Sequence, residues 1–523
     1  RLWDHPSQGS VVEGAGIDHG VRFGFATEDD EEIRDHRGLA LLVKVHDALG
    51  RKLVQRHLHH AHRAVDNLLP RGDHRLRLLA PQHRLGDLRR VSKMREPRFL
   101  LMYSPLQFAP QDTVKPDGSL SLPYIGGALR DAGFEVSLLD ASVGTEQDDL
   151  KGTFFRPVKL PSGLIRVGMS RERIAAEVVD YDVIGISSIF TMQTTMILDL
   201  IRLIKEVDPD KLVVAGGVNA RCLGERFFDA GADLICLSEA ERTIVEVGTV
   251  LRRGSRDFSG ISGVAFRRDG KTVSQPAAGI VSDLDRLPMP AWDLLPYKRY
   301  WEISRPHGGD FPPGATIRYG QMMTSRGCPF ACAYCHISKE TAGSPAGDIS
   351  ALRLKSFDRV MLEIDTLKGL GVEYVFFEDD SLLAKKKRII AIFRALQSKG
   401  LKLIDVNGVN LVHLFKNSGA GELVVDQELL EAMAACGFNM LSLPFESGSQ
   451  RIIDTYATSK WQIERSDTVA LVHTAKKLGI KVLGNYTIGY PDESFEELME
   501  TILMARRHVS EGLDVASFFC IVP

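Results

Sequence analysis

From residue 98 onward, short apolar runs alternate with amphipathic helical segments along the chain. This pattern leaves few folds open. Strands separated by helix-length connections must lie parallel, and parallel sheets need helices on their faces. The first series of strands reads RFLLMYSP, FEVSLLDAS, DVIGISSIF, KLVVAGGV and ADLICLS, with helices such as PYIGGALRDAG and TTMILDLIRLIKEVDPD between them. It predicts a Rossmann/flavodoxin-like, doubly wound parallel sheet over residues 94–254. Residues 255–320 carry two short strand runs and then the proline-rich LDRLPMPAWDLLPYKRYW, which reads as a linker. A second series begins at 321: YGQMMTSRG, VEYVFFEDD, LKLIDVNGV, NMLSLPFES, IKVLGNYTIGY and VASFFCIV. It predicts a partial (β/α)6 TIM-type barrel over 321–523. In both architectures ligands sit beyond the carboxyl ends of the strands.

The first barrel strand runs into MMTSRGCPFACAYCH, where Cys328, Cys332 and Cys335 are spaced C-x-x-x-C-x-x-C. Three thiolates on one loop can hold three irons of a four-iron, four-sulfur cluster, a group that usually takes four cysteine ligands. The fourth iron then stays open to a small molecule. Cys332 to His336 also reads C-x-x-C-H, the pattern for c-type haem attachment, and the three Cys with His336 could make a zinc site. No secretory signal accompanies the haem pattern, and no second ligand pair follows at zinc-finger spacing. The three-thiolate cluster is therefore the expectation.

Composition excludes several classes. Lys and Arg total 65 against 68 Asp and Glu, a formal charge of -3. That balance offers no electrostatic footprint for nucleic acid or an anionic membrane. No run of 18 apolar residues occurs, so no membrane span is expected. Seven Cys in 523 residues do not form a disulfide framework. Clustered reduced thiols point to the cytoplasm. Ten of the 15 His precede Met94, the first Met of the chain, in tracts such as RHLHHAHRAVD that lack an apolar period. Residues 1–93 are expected to be a non-native or disordered extension. The end at FFCIVP, inside an apolar run, reads as a C-terminal truncation.

The Cys spacing resembles the signature of radical S-adenosylmethionine (SAM) enzymes. Residues 98–523 as a whole resemble the cobalamin-binding radical SAM proteins, which place a cobalamin-binding Rossmann-like domain before a radical SAM barrel. The resemblance implies a 4Fe-4S cluster on Cys328, Cys332 and Cys335, which are then the catalytic and metal residues. It also implies SAM held by Tyr334, Glu378, Asp380, Asn407, Glu446, Ser447 and Gly489. Members often carry Gly-Gly-Glu where this chain has Glu378-Asp379-Asp380, so the serving carboxylate stays open. The order LPYIGGALR, GISSIF, AGGV and SEAE matches the cobalamin domain. It implies corrin contacts from Pro123, Ser187, Ser188, Gly216, Gly217, Val218, Ser238 and Glu239. No His lies between His83 and His307, so that domain offers cobalt no histidine, and base-off cobalamin is expected.

By resemblance, the activity is methylation of an unactivated carbon of a small-molecule or natural-product substrate through a 5′-deoxyadenosyl radical. Flavodoxin or ferredoxin would be the electron donor. An oxidative cyclase or ring-rearranging enzyme would share every motif. A non-catalytic cobalamin sensor would not need three thiolates. A methylthiotransferase would need three further Cys before the barrel, where 98–327 holds only Cys222 and Cys236.

Overall fold

The computed structural model describes residues 96–521, apart from residues 117, 119, 309, 310, 313, 420, 421 and 459. The expected extension over 1–93 lies outside the described residues. The first sheet contains β1 (Phe99–Tyr103), β2 (Val136–Asp140), β3 (Val183–Ser187), β4 (Leu212–Gly216) and β5 (Leu234–Cys236), with β6 (Val264–Arg268) and β7 (Lys271–Ser274). Their order is β7-β6-β5-β4-β3-β1-β2. β1 to β5 pair in parallel, and the order reverses between β1 and β3, which leaves a crevice at their carboxyl ends. The run LVVAG of β4 is apolar on both faces because helices cover both, among them α1 (Ser121–Asp131) and α2 (Thr194–Val207).

The boundary expected at 254 needs correction. β6 pairs antiparallel with β5, Leu234 opposite Phe266, and β7 folds back on β6, so the hairpin completes the first sheet. Nor is the rest of 255–320 a loose linker. Trp292 and Tyr300 are fully buried there. The Tyr300 hydroxyl donates to Asp140 Oδ2 at 2.7 Å, and Ala291 N–H donates to the Pro123 carbonyl at 2.8 Å. Prolines keep the elements of this stretch short, the longest after the hairpin being the helix Tyr297–Ile303 that follows Pro296, but its aromatic residues still bury their surface.

The barrel strands are β8 (Tyr319–Met322), β9 (Tyr374–Phe377), β10 (Lys402–Asp405), β11 (Phe438–Glu446), β12 (Lys481–Ile488) and β13 (Val515–Cys520), all parallel and in chain order. Ser and Asp side chains cap most of its helices. Ser356 caps α3 (Phe357–Gly369), and Ser494 with Glu497 forms a reciprocal capping box on α4 (Phe495–Ser510). One continuous apolar core runs from Phe99 through Trp292 and Tyr300 to Leu513, spanning both sheets. Among the described residues no helix is long and apolar enough to cross a membrane.

Gly127 on α1 shows how tightly the intervening segment packs. A Cβ there would lie 2.2 Å from the Met289 carbonyl oxygen. Gly127→Ala should destabilise the protein by about 1–3 kcal/mol through overpacking, read as a lower midpoint in urea denaturation, whereas Gly369→Ala, at a helical position with nothing within 4 Å of the added methyl, should not lower it.

Candidate functional site

A cavity of about 350 Å3 opens at the carboxyl ends of the first sheet. Its floor includes Leu101 of β1, Gly185 to Ser187 of β3, Val214 to Gly216 of β4 and Cys236 of β5. Its other wall comes from the barrel: Met323, Arg326, Gly327, His336, Glu378 and Asp380. Both sets of strands therefore send their active ends into one space.

The cysteine loop is fixed before its first thiol. Ser325 and Arg326 pair antiparallel with Leu354 and Arg353. Gly327 has φ +80°, donates its N–H to Asp380 Oδ2 at 3.0 Å, and a Cβ on it would meet the Ala351 carbonyl oxygen at 2.4 Å. Only glycine satisfies both that backbone and that approach. Cys328 N–H then donates to Ser350 O at 3.0 Å, and Ser338 Oγ donates to the carbonyls of Cys332 and Cys335 at 2.6 and 2.8 Å. Burial raises the thiol pKa of Cys328 and Cys332, and at Cys332 the Lys460 ammonium opposes the rise. Iron binding must therefore displace protons from these thiols. Among the described residues no three His, Cys, Asp or Glu side chains are gathered closely enough to share one metal ion. A four-iron cube makes a different demand, because it spreads its cysteine sulfurs over separate irons.

Next to Cys332 stands a second polar group. Glu446, at the end of β11, has φ +65° and is 6 % exposed. Its Oε1 accepts from Lys460 Nζ at 2.6 Å and its Oε2 from Thr487 Oγ1 at 3.1 Å. Lys460 Nζ also lies 3.4 Å from Tyr334 Oη, and the Tyr334 ring packs edge-on against Tyr490. This pocket offers a carboxylate, an ammonium and aromatic faces within reach of the thiols. That donor set suits a zwitterionic amino acid joined to a flat base. Gly489 adjoins it with φ +81°, its N–H donating to Glu493 Oε2 at 2.6 Å.

The acids after β9 divide their work. Asp379 is fully buried and accepts from Thr324 N–H and Oγ1 and from Ser325 Oγ, which makes it a structural anchor. Glu378 and Asp380 face the cavity, and Glu378 Oε1 lies 2.7 Å from His307 Nε2. Asn407 Nδ2 donates to the Glu378 carbonyl at 2.9 Å, so it braces this loop.

Of the expected corrin contacts, Ser187, Gly216, Gly217, Val218, Ser238 and Glu239 line the cavity. Gly217, at φ +97°, packs its backbone against Ser188 so closely that a Cβ would lie 2.2 Å from the Ser188 carbonyl oxygen. Three expected residues do not fit their assigned roles. Pro123 is absent from the cavity lining, because the helical turn presents Leu122 and Tyr124 there instead. Ser188 is fully buried and its Oγ accepts from Asn219 Nδ2 at 2.8 Å. Ser447 is also fully buried, bonded through Oγ to Thr501 Oγ1 at 3.1 Å, and so holds the β11 turn from inside.

Arg326, Glu241, Thr487, His307 and Tyr490 were not among the expected site residues. Arg326 had a visible signal, since it stands two positions before Cys328. Glu241 had one too, as the last residue of SEAE, and Thr487 and Tyr490 lie within two positions of Gly489, whereas His307 is brought in by packing alone. Glu241 is buried, which by itself would raise its pKa, but the Arg326 guanidinium overrides this and holds it below the ordinary value.

Residues 322–505 match the family model described as the radical SAM superfamily, and residues 118–248 match the B12 binding domain. The chain is 28% identical over 479 residues to cytidylyl-2-hydroxyethylphosphonate methyltransferase of Streptomyces wedmorensis, covering 85% of this chain and 83% of that protein. It is 25% identical over 312 residues to the anaerobic magnesium-protoporphyrin IX monomethyl ester cyclase of Rubrivivax gelatinosus, covering 58% of this chain and 51% of that one. Its fold resembles the radical SAM methyltransferase TsrM of Kitasatospora setae, solved with tryptophan and a SAM analogue. That match has a TM-score of 0.58 at 16% identity and covers 80% of this chain and 72% of the other. A B12-binding domain followed by a radical SAM barrel, with the cysteine loop at their shared cavity, places this chain among the cobalamin-binding radical SAM enzymes.

Proposed function

We propose that this protein is a cobalamin-dependent radical SAM methyltransferase acting on an unactivated carbon of a small molecule. One observation carries the reading: the cavity at the B12-domain strand ends is walled by the residues that flank the three cysteines. Cys328, Cys332 and Cys335 would hold the cluster. Glu446, Lys460 and Tyr334 would hold SAM beside it, with Glu378 and Asp380 facing the shared space. When bound, these groups supply a 5′-deoxyadenosyl radical on one side and a corrin-borne methyl group on the other.

The protein's own contribution is placement and exclusion of water. The crevice floor is built of Leu101, Gly185, Ile186, Val214 and Ala215, small or apolar residues that leave room for a flat macrocycle. Between residue 96 and His307 there is no His, so the first sheet offers cobalt no imidazole. His336 reaches the cavity only from the barrel side. That arrangement supports the reading of base-off cobalamin. A flavodoxin or ferredoxin would deliver the electron.

Oxidative cyclisation is the second reading, supported by the likeness to the Rubrivivax cyclase. Products separate the two. Anaerobically reconstituted protein incubated with SAM and a reductant should yield both 5′-deoxyadenosine and S-adenosylhomocysteine. Deoxyadenosine alone would favour the cyclase, and neither product from cluster-loaded protein would overturn both readings.

Cys332→Ala should remove most of the bound iron and sulfide, while Cys436→Ala, a buried thiol on the barrel's helical layer, should keep them. Retention of full iron by the Cys332 variant would disprove the ligand assignment. Glu446→Gln should weaken SAM binding to cluster-loaded protein about tenfold, equivalent to ~1.4 kcal/mol, as titration calorimetry would show.

A further inference from the structure

Two arginines stand opposite each other on the ribbon that enters and leaves the cysteine loop, Arg326 and Arg353. Both reach across to the loop that follows β5 in the first domain. Arg326 Nη2 donates to Glu241 Oε1 at 2.5 Å, and Arg353 grips Glu239 with two parallel bonds at 2.7 and 2.8 Å. The side chains of Arg326 and Glu241 are 11% and 7% exposed, and those of Arg353 and Glu239 are 5% and 15% exposed. Two further ties join the same surfaces: Arg221 pairs with Glu340, and Ser238 Oγ donates to Ala346 O at 2.5 Å. The Arg326 guanidinium also stacks 4.9 Å above the Tyr124 ring of α1.

Glu239, Glu241, Arg326 and Tyr124 all line the cavity, so they could be taken for corrin contacts. Their bonding says otherwise. Both oxygens of Glu239 accept from Arg353, with Arg326 Nη1 a further 3.5 Å from one of them, and Arg326 donates to Glu241 with its face on Tyr124. Ion pairs this buried add little net stability, since desolvation offsets most of their attraction. What they do well is fix register, because a planar fork meets a carboxylate in one orientation.

We propose that Arg326–Glu241 and Arg353–Glu239 are positioning residues that set the separation between the cysteine loop and the corrin crevice. This rests on the function proposed above. It assigns Glu239 and Glu241 to the geometry of the cysteine loop rather than to cobalamin binding, and it makes the loop a part shared by both domains.

The test uses the full chain reconstituted with cluster and hydroxocobalamin and reduced with dithionite. Iron and corrinoid content are measured first, and the cob(II)alamin electron paramagnetic resonance signal is then examined for relaxation by the nearby reduced cluster. Glu241→Gln and Arg326→Gln should keep both cofactors and lose most of that relaxation enhancement. The swap Arg326→Glu with Glu241→Arg should restore it. Should Arg326→Gln not fold, the near-isosteric Glu241→Gln carries the test. Unchanged relaxation in a cofactor-loaded variant would overturn the proposal. So would corrinoid loss in Glu241→Gln, which would make Glu241 a ligand contact. Wild-type protein that takes up neither cofactor would instead sink the functional reading on which it rests.

Discussion

Strand polarity is the constraint on which everything else depends. A parallel sheet leaves its functional surface at one edge, because every crossover returns the chain to the same starting side. Here two such sheets follow one another, and each contributes its carboxyl edge to a single cavity. The candidate site residues are therefore short segments at strand ends: Ser187 ending β3, Gly216-Gly217 at the end of β4, Glu378 and Asp380 after β9, and Glu446 ending β11. Their chemistry is local, but their convergence comes from topology.

Much of this was legible in the sequence. Apolar runs such as KLVVAGGV and VEYVFFEDD gave strands where they were expected, and the cysteine spacing located the loop that faces the cavity. Side-chain direction was much less legible. Pro123 on α1, Ser188 after β3 and Ser447 after β11 sit at positions the local backbone turns away or seals. Sequence spacing does not report which member of a turn points outward. The hairpin of β6 and β7 was visible as strands, but its partner was not, because antiparallel addition at a sheet edge leaves no periodicity of its own. Lys460 and Thr487 meet on Glu446 from separate elements, a coincidence that only tertiary packing creates.

The acidic run at 378–380 shows how one motif can hold three roles. Its members are consecutive, and their side chains diverge. Glu378 meets His307, Asp379 turns inward to Thr324 and Ser325, and Asp380 receives Gly327 N–H. The middle residue thus stabilises the loop that its neighbours use. Burial holds the pKa values of both Asp379 and Asp380 above the ordinary carboxylate value, and these hydrogen bonds oppose part of that rise. A loop of bare carboxylates would repel itself. This one is held by donors from the cysteine-bearing segment, so the acids and the thiols depend on each other for their positions.

The stretch between the two sheets carries a wider lesson about modularity. Trp292 and Tyr300 belong to an interior that never divides along the sequence boundary. A scissile cut between these parts would strip two aromatic faces of their cover and leave Asp140 without its phenol partner. Neither half would behave as a self-sufficient building block. Excised pieces would expose to water the apolar surface that the joined chain keeps covered.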